Sequence, residues 1–248
     1  MFIKFRSVAA LAFSALAITF YSACTKETKV TTNNDTEIAT AIAVNLYKSF
    51  GNTITSQNNV TGLPAGNSVV NGKKINELTC GQVIDQPFDN TYTKGDSIKD
   101  VMTGANKFVI SCDDKNQPNG YLYTGNYVNT GFNTVNTYTY TVKENYILKA
   151  LVDKYAKMQV DGTQISTVKT QSKKNANELM IQNNSYVLKG MVIDATTKPF
   201  DLAAGTADFV SNGTNDGREF SFSGTIQYLG NHKAKVSFDG KVIDIEIR

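Results

Sequence analysis

His232 is the only imidazole in this 248-residue chain, so chemistry that needs two imidazoles, such as a two-histidine metal centre, is excluded within one copy. As a catalytic base it would need a nucleophile and a buried acid beside it, and no nucleophile elbow is present. Gly230-Asn231-His232-Lys233 reads instead as an exposed hairpin turn. The 22 acidic residues share no motif that selects two of them as a glycosidase-type pair. Asp113-Asp114-Lys115-Asn116-Gln117 has the acidity of a calcium loop, but it lacks the alternating oxygens and the glycine at the sixth position, and it reads as a solvated turn. No catalytic residue, metal or cofactor is therefore expected, and the chain reads as a non-enzyme.

Tyrosine and cysteine carry the remaining candidate chemistry. Tyr121, Tyr123, Tyr127, Tyr138, Tyr140 and Tyr146 fall at alternate positions of neighbouring strands. There they form either a flat platform for sugar rings or a cross-strand aromatic cluster in a half-buried sheet, and the second reading suits the strand preference of tyrosine. Cys80 and Cys112 bracket a 31-residue segment. In an exported chain an even pair at this spacing predicts a disulfide, and without a CxxC or a nearby histidine it does not suggest a metal or redox site.

The elements that position these residues follow from composition and period. The chain is 41% hydrophobic and 19% charged, which suits a packed core. Its 25 Asn and 28 Thr favour turns and wet strand faces over helices. One amphipathic helix is predicted at residues 37–50, where Ile38, Ile42, Leu46 and Phe50 recur every fourth residue after an Asn34–Glu37 capping box. Residues 52–78 have no period and read as irregular cover. From residue 79 to 248 the period is two. Ala234, Val236 and Phe238 alternate with lysines and serine, Asp239-Gly240 turns the chain, and Ile243, Ile245 and Ile247 alternate with acids. Turns are also expected at Pro118-Asn119-Gly120 and Asp161-Gly162. Short links imply antiparallel neighbours, so the expected fold is mainly β: an antiparallel meander forming a barrel or a two-sheet sandwich, with one N-terminal helix.

The first 24 residues carry an address. Lys4 and Arg6 precede an apolar stretch from Val8 to Phe20, about the length of a signal-peptide core and too short for a bilayer span of about 20 residues. Tyr21-Ser22-Ala23-Cys24 then has the small residues and the cysteine of a bacterial lipobox, with Tyr21 in place of the usual aliphatic. Residues 1–23 are read as a signal peptide, and residues 24–36 as a lipidated Cys24 with a flexible tether. Cys24 is the cysteine left over by the Cys80–Cys112 pairing, and acylation gives it a use. Removing residues 1–23 takes Lys4 and Arg6 and no acid, leaving 23 basic and 22 acidic side chains, net +1. A near-neutral chain lacks the basic footprint of a nucleic-acid binder.

Lys26-Glu27 just after Cys24 is similar to export signals that take lipoproteins of Bacteroidota to the outer face of the outer membrane, and Asp96-Ser97-Ile98 resembles their O-glycosylation acceptor, with Ser97 the candidate. The stretch from Gly205 to Phe209, then Phe220 to Ile226, Gly230 to Val236 and Asp239 to Ile245 resembles β-rich surface lipoproteins of that phylum. The resemblance implies a lipid-anchored envelope protein and carries no activity or site residues. The expected function is non-enzymatic binding or structure at the outer membrane, facing the exterior or the periplasm. Its partners are the membrane and a glycan, lipid or protein. A lipocalin-like carrier of a lipophilic ligand is the alternative, and a glycan-active enzyme the third reading.

Overall fold

Alternation of period two sets which face of each strand is wet, and it continues almost unbroken from Val83 to Ile247. The computed structural model describes residues 32–52, 69–70, 73–74, 77–152, 156–197 and 200–247. The signal peptide, Cys24, most of the tether and residues 53–68 of the expected cover lie outside the described residues. The chain divides into the units Met1–Asp35 and Thr36–Arg248, and the following account concerns the second.

One helix, α1 (Thr32–Asn52), precedes a small ladder of β1 (Val69–Val70) and β2 (Lys73–Lys74), and then β3 (Val83–Lys94), β4 (Ile98–Cys112), β5 (Pro118–Phe132) and β6 (Asn136–Ala150). There follow β7 (Lys157–Ser172), β8 (Leu179–Asp194), β9 (Asp201–Asn215), β10 (Arg218–Gly230), β11 (Lys233–Phe238) and β12 (Lys241–Glu246). Strands β3 to β12 form one ten-stranded sheet in simple sequence order, antiparallel throughout. The fold is thus mainly β, a meander with one helix, and the expected barrel does not close: β3 and β12 are the edges. Charged residues and an outward Pro87 on β3 blunt one edge, and Lys241, Asp244 and Glu246 the other.

Local details correct the sequence reading. The helix begins at Thr32, so Asn34 lies inside it and does not cap it. Pro118-Asn119-Gly120 opens β5, the preceding turn being formed by Asp113 to Gln117, where the Asp113 carboxylate accepts from the Lys115 and Gln117 amides. Asp161-Gly162 is a bulge inside the continuous strand β7, not a turn. Its cause is non-local: Asp161 Oδ1 accepts from the Gly190 amide of β8 at 2.6 Å, and Oδ2 from Gln159 Nε2 at 2.7 Å.

Register shifts continue across β8, β9 and β10. Such a row of bulges bends a sheet. Gly162 (φ 142°) and Gly205 (φ 107°) occupy the row, and a Cβ there would stand 2.1 Å from the Asn145 carbonyl oxygen or 2.4 Å from Met191 Cα, so no larger residue fits. Ile84 on β3 and Ile245 on β12 belong to the same core as α1. The sheet therefore curves round the helix, and its two halves enclose one core as in a sandwich.

The helix fills that curve. Ala39, Ile42, Ala43, Leu46 and Phe50 are fully buried, the two alanines letting the sheet approach closely. Tyrosines of the sheet reach up to the helix backbone: Tyr186 Oη donates to the Ile42 carbonyl at 2.9 Å and Tyr228 Oη to the Ala43 carbonyl at 3.0 Å. Tyr47 Oη donates in return to the Phe200 carbonyl at 2.8 Å and its ring stacks on Phe200.

The predicted disulfide is present. Cys80 and Cys112 join with Cα atoms 5.8 Å apart, closing the end of the β3–β4 hairpin opposite its Gly95 turn. On the chain-entropy model a loop of this size contributes roughly 3 to 4 kcal/mol, and here it fastens an edge strand that has one neighbour.

Leu46→Ala should lower unfolding stability by about 2 to 5 kcal/mol, because a fully buried side chain is deleted where two rigid elements meet. Urea denaturation followed by circular dichroism checks this, and a loss below about 1 kcal/mol would contradict the placement of α1.

Candidate functional site

The concave face is apolar over β9–β12 and over the end of β4–β8 that carries Phe108, Tyr121, Leu148, Val160 and Leu188, and it turns polar toward the other end of β4–β8, a division set by register. Four successive rungs cross β4, β5, β6 and β7: Asp100, Gly131, Tyr138 and Thr170; Met102, Asn129, Tyr140 and Val168; Gly104, Tyr127, Val142 and Ser166; Asn106, Gly125, Glu144 and Gln164. The glycines thin the floor, and tyrosines cover them. A Cβ on Gly131 would meet Tyr138 Oη at 2.8 Å, and one on Gly125 would meet Tyr123 Oη at 2.4 Å. Each glycine is thus the space that fixes a ring.

Above the first three rungs lies a cavity of about 400 Å³, within the ~300–1,000 Å³ range of small-molecule sites. Asn45 and Ser49 of α1 form one side, and Asn133 and Asn136 of the β5–β6 hairpin another. Asn45 Nδ2 donates to Gln182 Oε1 at 3.0 Å, tying the helix to the polar face. Asn133 Oδ1 accepts from the Val135 and Asn136 amides and sets the hairpin's shape. Among the described residues the lining holds one carboxylate, Asp100, and no Lys, Arg or His. Tyr138 Oη donates to Asp100 at 2.7 Å, and burial followed by this bond raises the Tyr138 hydroxyl above its ordinary value. A second cavity of about 330 Å³ adjoins the first, sharing Asn136 and Thr170.

Two lining groups stand out energetically. Tyr127 is 3% exposed and Asn129 7%, yet Tyr127 Oη and Asn129 Oδ1 have no hydrogen-bond partner among the described residues. An unpartnered buried polar group costs roughly 1 to 3 kcal/mol, and such groups mark places where a fold serves something besides its own stability.

Beneath the cavity, Glu144 is wholly buried. Its Oε1 accepts from Gln164 Nε2 at 3.2 Å and from Tyr146 Oη at 3.3 Å, while Oε2 lies 3.1 Å from Tyr123 Oη. Burial pushes the carboxyl up to about 7, against the pull of bonds from Gln164, Tyr123 and Tyr146. Tyr123 Oη also lies within donating distance of Asn106 Oδ1, at 2.9 Å, so its one proton serves either Glu144 or Asn106.

The sequence candidates separate accordingly. Tyr121 and Tyr123 are buried in an aromatic cluster, with Tyr123 stacked on Tyr146 at 5.8 Å and edge or tilted contacts to Phe108 at 5.5 and 5.3 Å. No exposed flat platform includes them. Tyr127, Tyr138 and Tyr140 line the cavity, the last two meeting edge to face at 5.5 Å. His232 is in the expected turn, between Asn231 and itself at φ 54° and 55°, but it is not exposed. Its Nδ1 lies 3.4 Å from Tyr47 Oη and 3.7 Å from Asp201, whose carboxylate accepts from the Asn231 and His232 amides. The group holds a turn and includes no nucleophile. Ser97 sits exposed in the Gly95–Ser97 turn, between β3 and β4. Among the described residues no three metal-ligating side chains gather.

Asn129, Glu144, Asn106, Gln164 and Asn184 were not anticipated. Their signal was parity: Glu144 shares its face with Val142, Tyr146 and Leu148, so the alternation that buries those residues buries it too. Compared with known proteins, the chain has no significant match to a family model, a curated protein or a solved structure, and function is argued from the site.

Glu144 makes stability depend on pH with a definite sign. Below 4.5, the ordinary value, it is protonated folded or unfolded. Between there and about 7 the unfolded chain ionises while the fold keeps its proton, so stability falls as pH rises, by roughly 3 kcal/mol in all. Urea midpoints measured from pH 4 to 8 should fall in the wild type. Glu144→Gln should lose that component of the slope, and parallel profiles would refute the assignment.

Proposed function

We propose that this chain is a non-enzymatic, lipid-anchored envelope protein that holds a small polar ligand in the cavity between α1 and strands β4–β8. The reading rests on the unpartnered Tyr127 Oη and Asn129 Oδ1 buried in the cavity lining. The asparagines, serine and threonine around them extend the same polar character. The lipobox at Cys24 and the Lys26-Glu27 pair favour anchoring at the outer membrane, facing the exterior or the periplasm.

Two alternatives are less well supported. A carrier of a lipophilic ligand wants an open apolar interior, whereas α1 fills the apolar part of the curve with Ile42, Leu46 and Phe50. A glycosidase wants two carboxyls facing each other across a cleft. In the larger cavity Asp100 is the one carboxylate among the described lining residues and is held by Tyr138, while Glu144 lies three rungs away beneath Tyr123, Tyr146 and Gln164, outside the lining; Glu37, Glu178 and Asp216 line the second cavity.

Cys24→Ser should abolish labelling with palmitate and release the protein from membranes; undiminished labelling would refute the anchor. For the cavity, thermal shifts of the detergent-purified full chain are measured against amino acids, polyamines, nucleosides, sugars and fatty acids. At least one polar class should raise the Tm of the wild type, and Tyr127→Phe should weaken that shift while leaving the ligand-free Tm equal or higher, because the hydroxyl it removes has no partner. A response to fatty acids alone would overturn the reading.

A further inference from the structure

The lining chemistry narrows the ligand class, on the assumption that the cavity is a binding site as proposed above. Anions are disfavoured, since among the described residues no Lys, Arg or His lines either cavity and a buried phosphate or carboxylate needs a cation or an array of donors. An organic cation would find one carboxylate among the described residues of the larger cavity, Asp100, which already accepts from Tyr138, while Glu144 lies outside that lining. Acyl chains are disfavoured by amides on three sides. A hydroxyl-rich molecule suits the amides and hydroxyls of the larger cavity best.

Hydroxyls also answer the two unpartnered groups. Asn129 Oδ1 can only accept, while Tyr127 Oη can donate or accept. A polyol with adjacent hydroxyls serves both at once, since each hydroxyl donates one bond and accepts others. Tyr138 and Tyr140, half-buried and set edge to face, add aromatic surface against which the C–H groups of a sugar ring pack. The adjoining second cavity, reached past Asn136 and Thr170, is lined by Ser172, Asn215 and the carboxylates of Glu37, Glu178 and Asp216, which accept from sugar hydroxyls, and it extends the site beyond the dimensions of one ring.

We infer that the cavity pair is a binding site for neutral oligosaccharides of two or more rings, with Tyr127, Asn129 and Tyr138 holding one ring and the wall at Asn136 and Thr170 carrying the chain into the second cavity.

The test uses the full chain in detergent on an array of neutral, acidic and amine-bearing glycans of one to six rings, followed by titration of the best binders. Neutral glycans of at least two rings should bind best. Tyr127→Phe should weaken them about tenfold, the effect of one hydrogen bond, and Asn136→Ala should weaken longer glycans more than monosaccharides. Both variants should melt like the wild type, which separates loss of binding from loss of fold. Preference for acidic or amine-bearing glycans, or affinities unchanged in both variants, would overturn the inference. If no glycan binds while an amino acid, a polyamine or a nucleoside still gives a Tyr127-dependent thermal shift, the ligand class is wrong and the cavity reading stands. If no polar compound shifts the Tm at all, both fall.

Discussion

An antiparallel sheet with one apolar face must put that face against something, and a sheet of ten strands that stays open cannot use its own closure. Among the described residues the cover is a single helix. Everything else in the architecture adjusts to that constraint. The row of bulges from β7 to β10 bends the sheet to the radius of α1. Ala39 and Ala43 keep the helix thin where the sheet is nearest. The hydroxyls of Tyr186 and Tyr228 grip its backbone carbonyls rather than its side chains, which fixes the helix along its axis as packing alone would not.

One helix is too narrow to cover the whole curve, and the two parts of the concave face meet this differently. Over β9–β12 and the disulfide end of β4–β8 the residues are large and apolar. Over the other end of β4–β8 the rungs carry glycine beside tyrosine, and amides with a buried acid. That second region is poorer as a core: it buries Glu144, leaves amide and hydroxyl atoms unpartnered, and encloses space. A protein selected for stability alone would replace these side chains with leucine and phenylalanine. Local departures of this kind, in an otherwise consistent fold, are where function is expected. The tyrosines serve both parts, since Tyr123 belongs to the aromatic cluster on one side and to the Glu144 network on the other.

The elements legible from the residues were those whose cause is local. Lys233 to Phe238 and Lys241 to Glu246 announced a hairpin because strict alternation flanks Asp239-Gly240, and the structure has it. Asp161-Gly162 has the same turn chemistry and was misread, because what decides its conformation is an amide of Gly190 on the next strand, 29 residues away. His232 was rightly placed in a turn, but its burial comes from Tyr47 and Asp201, far from it in sequence. The cavity was illegible for a related reason. Tyr127, Tyr138 and Tyr140 could be picked out by type, whereas the asparagines that surround them look like ordinary wet-face residues until parity assigns them inward. Barrel closure is likewise a property of curvature summed over ten strands, which no single strand records.

The meander has a consequence in time. Every strand pairs with the one before it, so the sheet is assembled from local hairpins, the kind of contact that forms early. The helix is different. It is made first in order of synthesis, yet Tyr186 and Tyr228 lie 144 and 185 residues downstream of the carbonyls they bind. Until β8 and β10 exist, the apolar stripe of Ile38, Ile42, Leu46 and Phe50 has only part of its seat, such as Tyr146 of β6 beneath Phe50. The chain therefore carries its own plug, unsheathed, through most of its biogenesis, and the interval before docking is when it most needs shielding from other chains.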